Sequence, residues 1–187
     1  MKKGGTGGGH TAYKGSSFEF IVNEKLLKDL YEVGYSEIAT HKLGGAKGPI
    51  HGRTLQNQFG DTIELYYKSG IYRLFFEPRG IDYRNLFSAR LEPDIAIFSK
   101  QKQTLTIVEI KQMTAAGSVA EKLQTCDYKR YYYENLSRPL SINIAISWVL
   151  GEYFKLKENQ FQSVYEYMLS KGSKYHYGSL PVQEIEI

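Results

Sequence analysis

The apolar positions of this chain change period along its length, and each change marks an element. Phe18, Ile21, Val22, Leu26, Leu30 and Val33 recur at three- and four-residue spacing, which predicts an amphipathic helix over 16–33. Ser16 stands three residues before Glu19, the spacing of a capping box, and Gly34 is a natural stop. Residues 1–15 are glycine-rich, with no strand before them, and Lys14 is followed by Gly. A phosphate-loop pattern therefore fails, and the expectation is a flexible tail.

Further along, residues 40–60 read as a long polar loop. "DTIELYYKSGIYRLFFEPRG" reads as two strands around Lys68-Ser69-Gly70, a hairpin. Residues 81–90 are irregular. "PDIAIF" and "TLTIVEIKQM" are two more strands around "SKQKQ", and "GSVAEKLQTCDYKRYYYENL" is a helix with Pro139 beyond its end. "SINIAISWVL" has the near-continuous apolar run of a buried strand. "NQFQSVYEYMLSKG" is a short helix, and "PVQEIEI" a final edge strand. Strands precede a helix–strand–helix half, so the class is α/β with a mixed central sheet flanked by helices. A length of 187 residues fits one domain, expected over 16–187.

Composition narrows the setting. The single cysteine, Cys126, permits neither an intramolecular disulfide nor a cysteine-based zinc site. The N-terminus has a basic start but no apolar core of a signal peptide. "INIAISWVL", the best apolar run, is too short to span a bilayer. The expectation is a cytoplasmic protein with no membrane partner. A formal charge of +4 permits a polyanionic partner without demanding one.

The chemistry concentrates in "LEPDIAIFSKQKQTLTIVEIKQM". Glu109 and Lys111 are two apart on one strand, so they share a face, ~7 Å apart along it. If the strands on either side of "SKQKQ" pair, Asp94 at the start of one lies beside Glu109 at the end of the other. Two close carboxylates repel unless a positive group stands between them, and a hard divalent cation such as Mg²⁺ suits them. The Ile110 carbonyl can add an oxygen. Lys111 beside the metal can orient water or steady charge on a phosphorane-like oxygen, an arrangement for cutting a phosphodiester. A strand-end Glu-x-Lys alone is commonly a surface pair, and a Pro-Asp a common turn opener. The weight lies in the whole order: Pro-Asp, hairpin gap, apolar run, Glu-x-Lys, helix.

Pro93-Asp94 and Glu109-Ile110-Lys111 resemble the motif of the PD-(D/E)xK nuclease superfamily. The helix that follows carries Gln124 and Tyr128, which resemble the Q-x-x-x-Y pattern that several branches show, and the two are expected to meet over the site. The family usually places an acid in its first helix; Glu19 fits that role as well as the capping box, with Glu24 second. The resemblance runs over residues 16–150. It implies a restriction-endonuclease-like core, Asp94, Glu109 and Lys111 as catalytic residues aided by Gln124 and Tyr128, and Mg²⁺ held by Asp94, Glu109, Ile110 and Glu19. It also implies double-stranded DNA as substrate.

Lys42, Lys47, Arg53, Arg79, Arg84, Arg90, Lys122, Lys129 and Arg130 cluster where a duplex could run, and about half of them are expected to touch phosphates, the others forming a solvated face. Three adjacent tyrosines, Tyr131, Tyr132 and Tyr133, cannot all face one core, so at least one is expected to meet DNA, a partner or a neighbouring loop. Gly70-Ile71-Tyr72 spells half of a GIY-YIG motif without its second half. The histidines His10, His41, His51 and His176 are scattered and expected in loops. A core this short leaves little room for a recognition domain. The chain resembles the small cleavage subunits of heterodimeric type IIS restriction enzymes, which implies a large subunit that reads the site and nicks the other strand. The alternatives are a homodimeric type II restriction enzyme, a structure-selective nuclease, and an inactive DNA-binding module.

Overall fold

The computed structural model describes residues 8–45, 47–114 and 119–185. Helix α1 (Gly8–Glu32) leads into β1 (Tyr35–Lys42), β2 (Ile50–Asn57) and β3 (Thr62–Tyr67). After a helical stretch come β4 (Ile95–Ser99) and β5 (Thr104–Lys111), then α2 (Val119–Leu123) and α3 (Cys126–Ser137). The chain continues through β6 (Asn143–Leu150), α4 (Glu152–Leu156), α5 (Glu158–Ser170) and β7 (Ser173–Tyr177). The strands form one mixed sheet in chain order: β1 to β5 pair antiparallel, β5–β6 and β6–β7 parallel. The class is α/β.

Both faces of the sheet are covered, which explains why β4 is buried along its whole length and β5 up to Lys111. Ala96, Phe98, Leu105 and Ile107 join a core with Tyr132, Tyr133 and Leu136 of α3. The alternate residues Ile95, Ile97, Val108 and Ile110 join a second core with Val22, Leu26 and Leu30 of α1. Asp94 and Glu109 share the parity of the first set, so they stand on the α3 face. No helix among the described residues is long and apolar enough to cross a membrane.

The structure departs from the sequence pattern in several places. Helix α1 begins at Gly8, so Ser16 and Glu19 lie within it rather than at its cap, and the expected tail is helical from residue 8. Residues 1–7 lie outside the described residues, as do Gly117 and Ser118 at the expected start of the next helix. The expected polar loop at 40–60 contains the end of β1 and all of β2, so His41 and His51 are strand residues, as is His176 in β7. The second strand of the expected hairpin is instead a π-helical segment, Ile71–Phe76. It buries Ile71, Tyr72, Phe75 and Phe76 in the α3-side core, and that burial overrides the strand preference of aromatic and β-branched residues. The long second helix breaks between Leu123 and Cys126. Residues 182–185 form a 3₁₀ turn rather than an edge strand, and the edge is β7; Glu186 and Ile187 lie outside the described residues.

Candidate active site

The site stands at one end of the sheet, where β3 and β5 finish and β4 starts. The β3–β4 ladder closes with Tyr67 opposite Ile95, and the β4–β5 ladder with Ile95 opposite Val108. One step further, Lys68 and Glu109 therefore flank Asp94 on its two sides. On the other side of β5, Glu109 stands opposite Trp148 of β6.

Three oxygens converge on one ammonium. Lys111 Nζ lies 3.0 Å from Asp94 Oδ2, 2.9 Å from Glu109 Oε2 and 3.0 Å from the Ile110 carbonyl. It also stands 5.8 Å from the centre of the Trp148 ring, within reach of a cation–π attraction. The Ile110 N–H donates to Asp94 Oδ2 at 2.7 Å, which fixes that carboxylate against β5. The hairpin thus brings Asp94, Glu109, Ile110 and Lys111 together as the spacing required. Among the described residues no three His, Cys, Asp or Glu side chains gather as a metal cluster. The converging set is smaller: two carboxylates and a carbonyl, all hard oxygens of the kind Mg²⁺ prefers.

Two further lysines complete the group. Lys68 Nζ bonds Asp94 Oδ1 and lies 3.1 Å from Glu19 Oε2. Lys129 Nζ of α3 lies 2.7 Å from Glu109 Oε1. Glu19 therefore joins the cluster through Lys68 rather than at the point where the three oxygens converge, and Glu24 is exposed on α1. The cluster is open at the Lys68–Glu19 end, where the side chains are 45% and 36% exposed, and closed at Glu109, at 5%. Lys68 itself has φ +48°, a left-handed conformation uncommon for a residue with a side chain.

The charges hold one another in place. Burial alone pushes the Asp94 carboxyl up, but the ammoniums of Lys111 and Lys68 outweigh it and hold the group below the usual carboxylate range. Burial pushes the Lys111 ammonium down, and Glu109 and Asp94 reverse this and raise it. Lys68 is raised in the same way, with Asp94 opposing the effect of burial more strongly than Glu19 does. At neutral pH Asp94, Lys68 and Lys111 are ionised.

The segment leading into Asp94 is pinned by tyrosines. The Leu91 carbonyl accepts hydrogen bonds from the hydroxyls of Tyr72 and Tyr133, the latter at 2.7 Å. The Tyr132 hydroxyl lies 3.1 Å from that of Tyr72 and 3.4 Å from the Leu91 N–H, which donates to it. Tyr132 and Tyr133 are thus buried, and Tyr131 is the exposed member of the triplet.

Gln124 and Tyr128, which the Q-x-x-x-Y resemblance implies meet over the site, both lie exposed, and only Tyr128 is on α3. Gln124 is exposed at the α2–α3 break, beside Ser163, Val164 and Tyr167 of α5. Tyr128 is exposed, with its ring stacked 6.3 Å from that of Tyr131. The α3 side chain that reaches the carboxylates is Lys129, which the sequence reading assigned to phosphate contact. Of the other expected phosphate contacts, Arg130 binds the carbonyls of Ile144, Lys171 and Gly172. Arg53 pairs with Glu37, Arg84 with Asp82 and Arg90 with Glu92, and Arg79 lies over the Phe75 ring.

Comparison with protein-family models finds no match to this chain, and comparison with curated proteins finds none.

Proposed function

We propose that this chain is a Mg²⁺-dependent DNA endonuclease with a PD-(D/E)xK core, acting as the cleavage subunit of a type IIS restriction enzyme. The observation that carries this reading is the convergence of Asp94 Oδ2, Glu109 Oε2 and the Ile110 carbonyl within 3.0 Å of Lys111 Nζ. A mixed sheet with this acid–acid–lysine group at the end of an antiparallel hairpin, and helices on both faces, supports it. Asp94, Glu109 and the Ile110 carbonyl would hold the cation. When bound, the cation supplies Lewis-acid polarisation of a phosphodiester oxygen and a more acidic water.

The chain's own groups supply the rest. The Ile110 N–H keeps Asp94 aimed at β5. Lys111, the positive group nearest both carboxylates, orients the attacking water and steadies negative charge on the phosphoryl oxygens. Substrate approaches from the exposed Lys68–Glu19 end, since the Glu109 end is closed by α3. One such site cuts one strand, so a double-strand break needs a large subunit that recognises the site and nicks the other strand.

The test is cleavage of supercoiled plasmid in Mg²⁺, by the chain alone and with a candidate large subunit. The expected result is a large-subunit nick converted to a double-strand break, with only the nick left when the chain carries Asp94→Ala. A well-folded Asp94→Ala protein that still cuts with Mg²⁺ overturns the assignment.

A further inference from the structure

Six side chains of the site form a single alternating series: Glu19, Lys68, Asp94, Lys111, Glu109, Lys129. Each inner carboxylate divides its oxygens in the same way. Asp94 gives Oδ1 to Lys68 and Oδ2 to Lys111. Glu109 gives Oε1 to Lys129 and Oε2 to Lys111. Three carboxylates and three ammoniums leave the series formally neutral.

Keeping two carboxylates buried does not require this many lysines. Lys111 alone touches both, and the Ile110 N–H already serves Asp94. A largely buried ammonium is itself expensive to desolvate. Yet the Lys129 side chain is only 15% exposed, on a helix face that otherwise carries Cys126, Tyr133 and Leu136. Lys68 is held in a left-handed backbone conformation at the point where it meets Asp94. Both outer lysines are placed against a local preference, and both grip the oxygen that faces away from Lys111.

We propose that Lys68 and Lys129 are positioning residues that couple cation binding to substrate binding, resting on the nuclease reading above. By holding Oδ1 and Oε1 they turn Oδ2 and Oε2 toward one shared point. By completing a neutral series they remove the excess negative charge that would draw in a divalent cation on its own. A cation entering a neutral cluster leaves a surplus of two positive charges, and the scissile phosphodiester and its neighbours on the strand supply compensating negative charge, one each. Cation and DNA then favour each other's binding, and the site loads only weakly without substrate.

The experiment measures Mn²⁺ binding to the full chain without DNA, counting free Mn²⁺ by electron paramagnetic resonance, with folding checked by circular dichroism. Wild type is expected to bind Mn²⁺ weakly and to tighten when a short DNA duplex is added. Lys68→Gln and Lys129→Gln leave the series one negative charge in excess and should bind Mn²⁺ without DNA on the order of tenfold more tightly. Lys68→Arg and Lys129→Arg keep the charge and should return to the wild-type affinity. Lys68 is the more exposed of the pair and tolerates replacement better, so Lys68→Gln decides the matter if Lys129→Gln does not fold. A folded Lys68→Gln protein that binds Mn²⁺ no more tightly than wild type, while wild type cuts DNA, overturns this proposal alone. Wild type that neither cuts DNA nor binds Mn²⁺ in its presence overturns the nuclease reading, and this proposal with it. An Asp94→Asn change added to Lys68→Gln should abolish the tightened binding.

Discussion

The Tyr133 hydroxyl donates to the Leu91 carbonyl at 2.7 Å, three residues before Asp94. Burial pushes the Tyr133 hydroxyl well above its ordinary range, so it is a proton donor at neutral pH. Tyr72 supplies the second donor to the same carbonyl. Tyr133→Phe removes one of the two and should cost about 1 kcal/mol, read as a lower urea midpoint at unchanged slope. The Tyr72→Phe, Tyr133→Phe double variant takes both hydroxyl donors away from that carbonyl. It should cost more than the sum of the single changes, because the two share a partner. Turnover should fall with it, as the approach to Asp94 loosens.

The hairpin that carries the site was legible because its information is local. Pro93-Asp94, the turn and Glu109-Ile110-Lys111 lie within one stretch, and strand geometry alone makes Asp94 and Glu109 neighbours. Lys68 was not legible, since its approach to Asp94 depends on the β3–β4 register, set by residues far apart in the chain. Lys129 did leave a signal. Cys126, Lys129, Tyr133 and Leu136 follow three-, four- and three-residue steps, so a lysine sits in a helical apolar stripe. A charge in such a stripe asks for a buried acid, and Glu109 is that acid. The Ile71–Phe76 segment misled because its residues favour strands, while the core selects the wide turn of a π-helix.

Asp94→Ala and Asp94→Asn should separate folding from chemistry. Alanine leaves Lys68 and Lys111 with one acid fewer, and breaking a largely buried pair costs about 3 kcal/mol. Asparagine keeps the shape and an oxygen for the Ile110 N–H, so it should destabilise less. Both remove the anionic oxygens and should abolish Mg²⁺-dependent cleavage. Denaturant unfolding and plasmid cleavage, run on the two proteins together, check this. An Asp94→Asn protein that cuts at the wild-type rate contradicts the assigned role.

Gly70→Ala tests how the chain turns out of β3 next to Lys68. A Cβ at Gly70 would lie 2.0 Å from the His51 carbonyl oxygen and 2.9 Å from its carbon. The obstacle is backbone of β2, which cannot swing aside as a side chain can. The Gly70 dihedrals are ordinary helical values, so the penalty is contact rather than conformation. A loss above ~2 kcal/mol is expected in denaturant unfolding. A change within ~0.5 kcal/mol would mean that β2 yields there.

His176 should set a slope on the acid side of neutrality. Burial lowers its imidazole below the ordinary 6.5, nearby Lys174 adds to this, and Glu184 opposes it. The unfolded chain therefore binds this proton at a higher pH than the folded one. Stability from the neutral ring is complete above 6.5 and is lost as pH falls through the folded value. Urea midpoints measured downward from pH 7 should decline, and His176→Gln should flatten that decline. An unchanged slope in the variant assigns the effect to another group.

DNA binding by the chain alone should be weak and only modestly sensitive to salt. Arg53, Arg79, Arg84, Arg90 and Arg130 are each engaged within the chain. Lys68, Lys111 and Lys129 are paired with acids of the site. Each phosphate contact releases counterions, so few contacts give a shallow dependence of affinity on salt, a slope weaker than about −4 on logarithmic axes. Sequence preference should be slight for the same reason, because positioning contacts must exist before base contacts can discriminate. If the proposed large subunit brings its own DNA contacts, adding it should raise both affinity and the salt slope. Fluorescence anisotropy across a salt series, with sedimentation to fix the oligomeric state, checks this directly. A steep slope from a stable dimer that cuts a defined palindrome unaided would replace the division of labour with a homodimeric enzyme.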